Sequence, residues 1–159
     1  MAMCRHGSNP VAGRKSEPRS ALVLLAEDEK TDAFLMQRVF AMEAPTAKMV
    51  RVVDGQDVID YLFGQAQFAD REQHPQPNLV ILDLNMPRVG GIEVLRTVRS
   101  RPEHIRTPII VLSASERERD INAAYDAGAN AYMVKPLTYD DYRSMAKAVS
   151  SFWLHLNRT

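Results

Sequence analysis

Cysteine is almost missing from this sequence. The 159 residues hold one, Cys4, so neither an intrachain disulfide nor a thiolate metal cluster is possible, which fits a reducing, cytoplasmic compartment. Net charge is missing too. Twenty Lys and Arg stand against 20 Asp and Glu with the histidines neutral, a balance that argues against a dedicated nucleic-acid or membrane-surface binder. No apolar run approaches the roughly 18 residues of a membrane span. The charged N-terminus lacks the apolar stretch of an export signal. Long repeats and low-complexity tracts are also absent. What is present is the length of one domain and 45% hydrophobic residues, enough for a real core.

Residues 1–20 read as a disordered tail, with Gly7, Pro10, Gly13 and Pro18 and no apolar periodicity. Arg5, Arg14, Lys15 and Arg19 there face only Glu17, which leaves the remainder mildly acidic. Residues 21–159 read as a single domain. Five short apolar runs end at Ala26, Val53, Leu82, Ser113 and Val134, and helical stripes follow each. The last helix carries Tyr142, Met145, Val149 and Phe152 on an inward stripe and continues through Trp153 and Leu154. Between Gly64 and Asn78 lies a Gln- and Pro-rich stretch, expected to be a long loop that is either functional or a tolerated insertion. Strands alternating with helices call for an α/β fold: a doubly wound, five-stranded parallel sheet. The order 2-1-3-4-5 is the common one that sets strands one and three side by side at the switch point.

The central run is Leu79-Val80-Ile81-Leu82, unbroken up to Asp83. Such a run suits a strand buried on both faces, and the carboxyl ends of strands are where open α/β sheets bind ligands. An aspartate in this place also caps helices and starts turns. Three other strand ends bear Glu27-Asp28, Ser113 and Lys135, and a shared site accounts for all of them together. Glu27, Asp28 and Asp83 then crowd at the switch point and repel one another unless a cation joins them. Oxygen-only ligands favour Mg²⁺, or Mn²⁺, over zinc or copper. A metal-bound Asp83 stays ionised and can attack phosphorus, while Lys135 and the hydroxyl of Ser113 meet the phosphoryl oxygens.

From about Ala21 to Trp153 the chain resembles a response-regulator receiver domain of two-component signalling, a flavodoxin-like fold. The resemblance rests on Glu27-Asp28, Asp83-Leu84-Asn85-Met86-Pro87, Pro108 through Ser113-Ala114, and Tyr132-Met133-Val134-Lys135-Pro136. It implies that Asp83 accepts a phosphoryl group from a histidine kinase. It implies Mg²⁺ ligation by Asp28, Asp83 and the Asn85 backbone carbonyl, with Glu27 helping through water. Ser113, Ala114 and Lys135 would contact the phosphoryl group, Ser113 and Tyr132 would form the switch, and the bond to Pro136 would be cis. Two positions depart from the family pattern: Gly90 where many members carry Asp, and Ser113 in place of the commoner Thr. The Gln/Pro loop and the ending Phe152-Trp153-Leu154 are similar to single-domain regulators that serve bacterial phytochrome kinases. No basic recognition helix or effector domain is read in the sequence, so direct DNA control is not expected.

Two rival readings use the same fold class. A phosphoaspartate hydrolase would place two aspartates as D-x-D, but Asp83-Leu84-Asn85 has Asn second. A flavin carrier would need a hydroxyl- and Gly-rich loop after Ala26, where this chain has carboxylates. The expected assembly is a symmetric homodimer through helix four, strand five and helix five, with Trp153 and Leu154 as exposed apolar contributors.

Overall fold

The computed structural model describes residues 20–157. The proposed tail, with Cys4, therefore lies outside the described residues except for Ser20. Strands β1 (Leu22–Ala26), β2 (Lys48–Val52), β3 (Leu79–Leu82), β4 (Ile109–Ser113) and β5 (Ala131–Val134) form one sheet in the order β2-β1-β3-β4-β5. Every pairing is parallel. Helices α1 (Lys30–Glu43), α2 (Gly55–Phe63), α3 (Gly91–Arg99), α4 (Glu118–Asp126) and α5 (Tyr139–Val149) connect and follow the strands.

Alternation along the strands builds two cores, one on each face. Leu22, Leu24, Val80, Leu82, Ile109 and Val111 point toward α2, α3 and α4 and meet Val58, Leu62, Val94, Leu95 and Ala124. Val23, Leu25, Leu79, Ile81, Ile110 and Leu112 point toward α1 and α5 and meet Met36, Phe40, Tyr142, Met145 and Val149. A strand buried on both faces has no polar side, which is why β1, β3 and β4 are unbroken apolar runs. The first side chains that can be polar come where the strands stop. Side-chain caps then start the helices: Glu29 accepts from the Thr31 amide, Asp54 from Asp57 and Thr138 from Asp141.

The Gly64–Asn78 stretch is tied down rather than loose. A short 3₁₀ turn, Ala66–Phe68, buries Phe68 against Tyr61 and His74. Arg71 donates to the Tyr61 carbonyl at 2.7 Å and Gln76 to the Leu62 carbonyl at 2.7 Å. Asn78 closes the stretch by accepting from the Leu22 amide at 2.8 Å.

The C-terminal end differs from expectation. After Val149 the helix widens to i→i+5 winding over Ser150–Leu156. Phe152, expected inward, is 50% exposed, and Leu156 is 68% exposed. Trp153 and Leu154, expected to extend the exposed surface, are half-buried against the α1–α5 core. Wider winding advances the inward face from the i+3 position to i+4 and i+5, so Val149 is followed on that face by Trp153 and Leu154.

Candidate functional site

Three chain segments meet at the carboxyl edge of the sheet. β1 runs straight into Glu27 and Asp28, β3 into Asp83, and β5 into Lys135. Ladder hydrogen bonds carry the register past the strand ends: the Asp83 amide donates to Ala26 O at 3.0 Å, Glu27 to Val52 O at 3.1 Å and Lys135 to Ser113 O at 2.9 Å. Neighbouring strands in register thus deliver their next side chains to one place. Carboxylate oxygens of Glu27, Asp28 and Asp83 lie within 4.8 Å of one another. Glu27 and Asp83 are buried and Asp28 is exposed.

Lys135 is the cation among them. Its ammonium donates to Glu27 Oε2 at 2.7 Å and to Asp83 Oδ2 at 2.8 Å. A third bond, to Asp32 Oδ2 at 2.8 Å, brings in a residue that sequence reasoning did not single out. Burial opposes the charge of Lys135, but hydrogen bonds to Asp32, Asp83 and Glu27 outweigh it and hold the ammonium above its ordinary range. Burial pushes the Glu27 carboxyl up, against the pull of Lys135 and with the help of the Asp83 charge.

Two arginines hold the loops that carry the acids. Arg51, on β2, donates through Nε to the Glu27 carbonyl at 2.9 Å and through Nη2 to the Asp28 carbonyl at 2.8 Å. Arg88 takes a left-handed backbone with φ 64° and pairs with Asp54 at 3.0 Å. The loop from Asp83 to Gly91 is tightly wound: Asn85 donates its amide to Asp83 Oδ1 at 3.1 Å, and Gly91 donates to Leu84 O at 2.9 Å. A Cβ on Gly91 would lie 2.6 Å from the Asp83 carbonyl oxygen, and one on Gly55 would overlap the Val89 carbonyl. Glycine is required at both for close approach.

Beside the acids lies an open cavity of about 620 Å³, lined by Asn85, Ser113, Ala114, Ser115 and Arg117 among others. Ser113 is fully buried and its Oγ accepts from the Ser115 amide at 3.2 Å. Tyr132 is half-buried and donates its hydroxyl to the Ser115 carbonyl at 2.8 Å. Ser113 and Tyr132 are thereby joined through one residue. The Lys135–Pro136 bond, expected cis, is trans like every other peptide bond among the described residues. Trans is the lower-energy isomer of an X–Pro bond by roughly 0.5–1 kcal/mol.

The donor set suits a hard dication. Glu27, Asp32 and Asp83 share one ammonium, Asp28 adds an exposed carboxylate to the trio, and all the trio's side-chain donors are oxygens. With a hydroxyl and an ammonium group on the adjoining strand ends, fold and site together place an all-oxygen acidic cluster at the switch point of a doubly wound sheet.

The chain belongs to the response regulator receiver domain family, whose pattern it matches over residues 23–147. It is 35% identical over 133 residues to the response regulator Rcp1 of Synechocystis, covering 84% of this chain and 88% of that protein. The crystal structure of response regulator RPA3017, in red light signalling of R. palustris, superposes with a TM-score of 0.82 at 38% identity, over 87% of this chain and 96% of that one. The phosphorylated cyanobacterial phytochrome response regulator RcpA gives a TM-score of 0.80 at 33% identity, over 87% and 96%. The Mn²⁺-bound form of Rcp1 gives 0.77 at 33%, over 87% and 97%. The chain is thus a signalling protein related to phytochrome response regulators, and this family takes the place of the hydrolase and flavin-carrier readings. Receiver domains partner with histidine kinases, and the acidic trio of this one is a group that could hold a divalent metal ion.

Proposed function

We propose that Asp83 is the phosphoacceptor of this chain and that a histidine kinase, of the phytochrome type, supplies the phosphoryl group in the cytoplasm. A carboxylate oxygen of Asp83 forms the new bond to phosphorus while the P–N bond of the phosphohistidine breaks. The bond's electron pair stays on the imidazole nitrogen, and the protonated ring leaves neutral. Asp28, Asp83 and the Asn85 carbonyl would hold Mg²⁺, or Mn²⁺, with Glu27 acting through water. When bound, the ion supplies charge neutralisation that lets an anionic donor approach carboxylates. Lys135, Ser113 and Ala114 would then meet the phosphoryl oxygens. The chain acts on no second substrate in this reading. It catalyses only its own phosphorylation and dephosphorylation.

One observation carries the proposal: of the two buried acids in the trio that bond Lys135, Asp83 is the one that ends the central strand. Asp83→Asn keeps the shape and removes the nucleophile. Incubated with acetyl phosphate and Mg²⁺, the wild type should gain hydroxylamine-labile phosphate and the variant none. Labelling of the variant would move the acceptor elsewhere.

Output through α4, β5 and α5 is supported by apolar exposure on those elements. Leu137, in the connection between β5 and α5, is 99% exposed, and Tyr125 on α4 and Val134 on β5 are exposed as well. Such a surface suits a protein partner, here a second copy of the chain, rather than nucleic acid. Phosphorylation, with Ser113 and Tyr132 as the switch, strengthens this dimer by favouring its competent state. Sedimentation equilibrium with and without acetyl phosphate tests this. A monomer at high micromolar concentration in both states would end the dimer reading.

A further inference from the structure

Lys135 has three N–H donors, and all three are in use. Two go to Glu27 and Asp83, members of the acidic trio. The third goes to Asp32, which is outside it. The trio's carboxylates are the ones that would hold a metal ion, and Asp83 is the one that would carry the phosphoryl group as an acyl phosphate. Asp32 does neither, so its bond to Lys135 is the one that persists through the reaction. It also stands on firmer ground than the lysine. Lys135 follows the half-buried edge strand β5. Asp32 sits in the first turn of α1, where the helix dipole favours a carboxylate.

We infer that Asp32 is a positioning residue for phosphoryl transfer: it anchors the Lys135 ammonium beside α1, so that the two N–H groups released by the trio turn onto the incoming phosphoryl oxygens. This rests on Asp83 being the phosphoacceptor. Asp32 touches neither the metal ligands' shared space nor the phosphorus and acts only through Lys135. Its charge is only partly shielded by burial, its side chain being 29% exposed, so substitution there leaves the cores intact.

The test is a double-mutant cycle on initial phosphorylation rates with acetyl phosphate at saturating Mg²⁺. Asp32→Ala should slow the wild type about tenfold, the size of one charge-assisted hydrogen bond. Asp32→Asn, which keeps an acceptor oxygen in the same place, should recover roughly threefold of that loss. In a Lys135→Ala background, removing Asp32 should change the rate by less than about twofold, because its only route of action is gone. Mg²⁺ affinity should fall less in Asp32→Ala than in Asp28→Ala. A wild-type rate in Asp32→Ala overturns the inference, as does a tenfold loss that survives in the Lys135→Ala background, which would mark a structural role. If Asp32→Ala unfolds, the Asp32→Asn arm of the cycle decides by the same criterion. Failure of the underlying reading looks different: the wild type itself would then take no phosphate on Asp83.

Discussion

His104 shows how far a side chain's surroundings set its chemistry at the scale of one residue. It is buried, stacked on Phe63 at 5.2 Å between ring centroids, with Nδ1 3.4 Å from the Thr107 hydroxyl. Burial pushes its pKa below the ordinary 6.5, with nearby arginines acting in the same direction. Between pH 6.5 and the lower folded value the unfolded chain binds a proton that the folded chain refuses, so stability falls as pH drops through that window. His104→Gln should therefore lose stability at pH 7.5 through lost packing, yet close the gap on the wild type by pH 5. Thermal melts at the two pH values test this, and parallel curves would contradict it. Residue by residue, the site was partly legible in the sequence. Asp83, Asp28, Glu27 and Lys135 stood out because an apolar run ending in a charge signals where a buried strand stops. Asp32 did not stand out, because an acid in a first helical turn looks like a dipole partner. Only the return of the chain 103 positions later brings Lys135 to it. Arg51 was hidden in the same way, a cation inside the strand pattern Met49–Val53 whose targets are backbone carbonyls.

Elements show the same division between what is local and what is not. Strands and helices were readable because two-sided burial and 3.6-residue stripes are local patterns. The Gln/Pro stretch was not, since its order comes from Phe68, Arg71 and Gln76 reaching back to α2. The helix end was misread for a definite reason. An inward stripe extrapolated at 3.6 residues per turn points Phe152 at the core, whereas the i→i+5 winding after Val149 points Trp153 and Leu154 there. Trp153→Ala should therefore lower stability by about 1–3 kcal/mol as a partly buried aromatic. Phe152→Ala should stay within about 0.5 kcal/mol. Denaturant melts of the two variants distinguish them, and the reverse ranking would restore the narrower winding. Arg51→Met tests the acidic turn. With two carbonyls released, Mg²⁺ affinity should fall while the melting temperature of the metal-free protein shifts little. An unchanged affinity would show that the turn holds itself.

For the whole molecule, the concentration of anions at one end of the sheet should make a dication a stabiliser of the fold. Glu27, Asp28 and Asp83 are held together by folding and scattered by unfolding, so a dication binds the native state far better. At a hundred times its dissociation constant, Mg²⁺ should add about 2.7 kcal/mol. In a domain of this size that is a rise of roughly 5–10 °C in melting temperature. Asp28→Ala should lose most of the rise, and a metal-independent melting temperature in the wild type would remove the trio as the site.

The bond from the Tyr132 hydroxyl to the Ser115 carbonyl has a consequence of its own. The ring is tethered inward by it and packs against the α2–α4 core. In the switch proposed for Ser113 and Tyr132, with the inward ring as its signalling form, a bond that holds that form at rest raises the floor and compresses the dynamic range from below. Tyr132→Phe removes a hydrogen bond of about 1 kcal/mol, which should deplete the inward form about fivefold. The same substitution that weakens full output should therefore sharpen the contrast between the resting and phosphorylated chain, with the unstimulated background falling first.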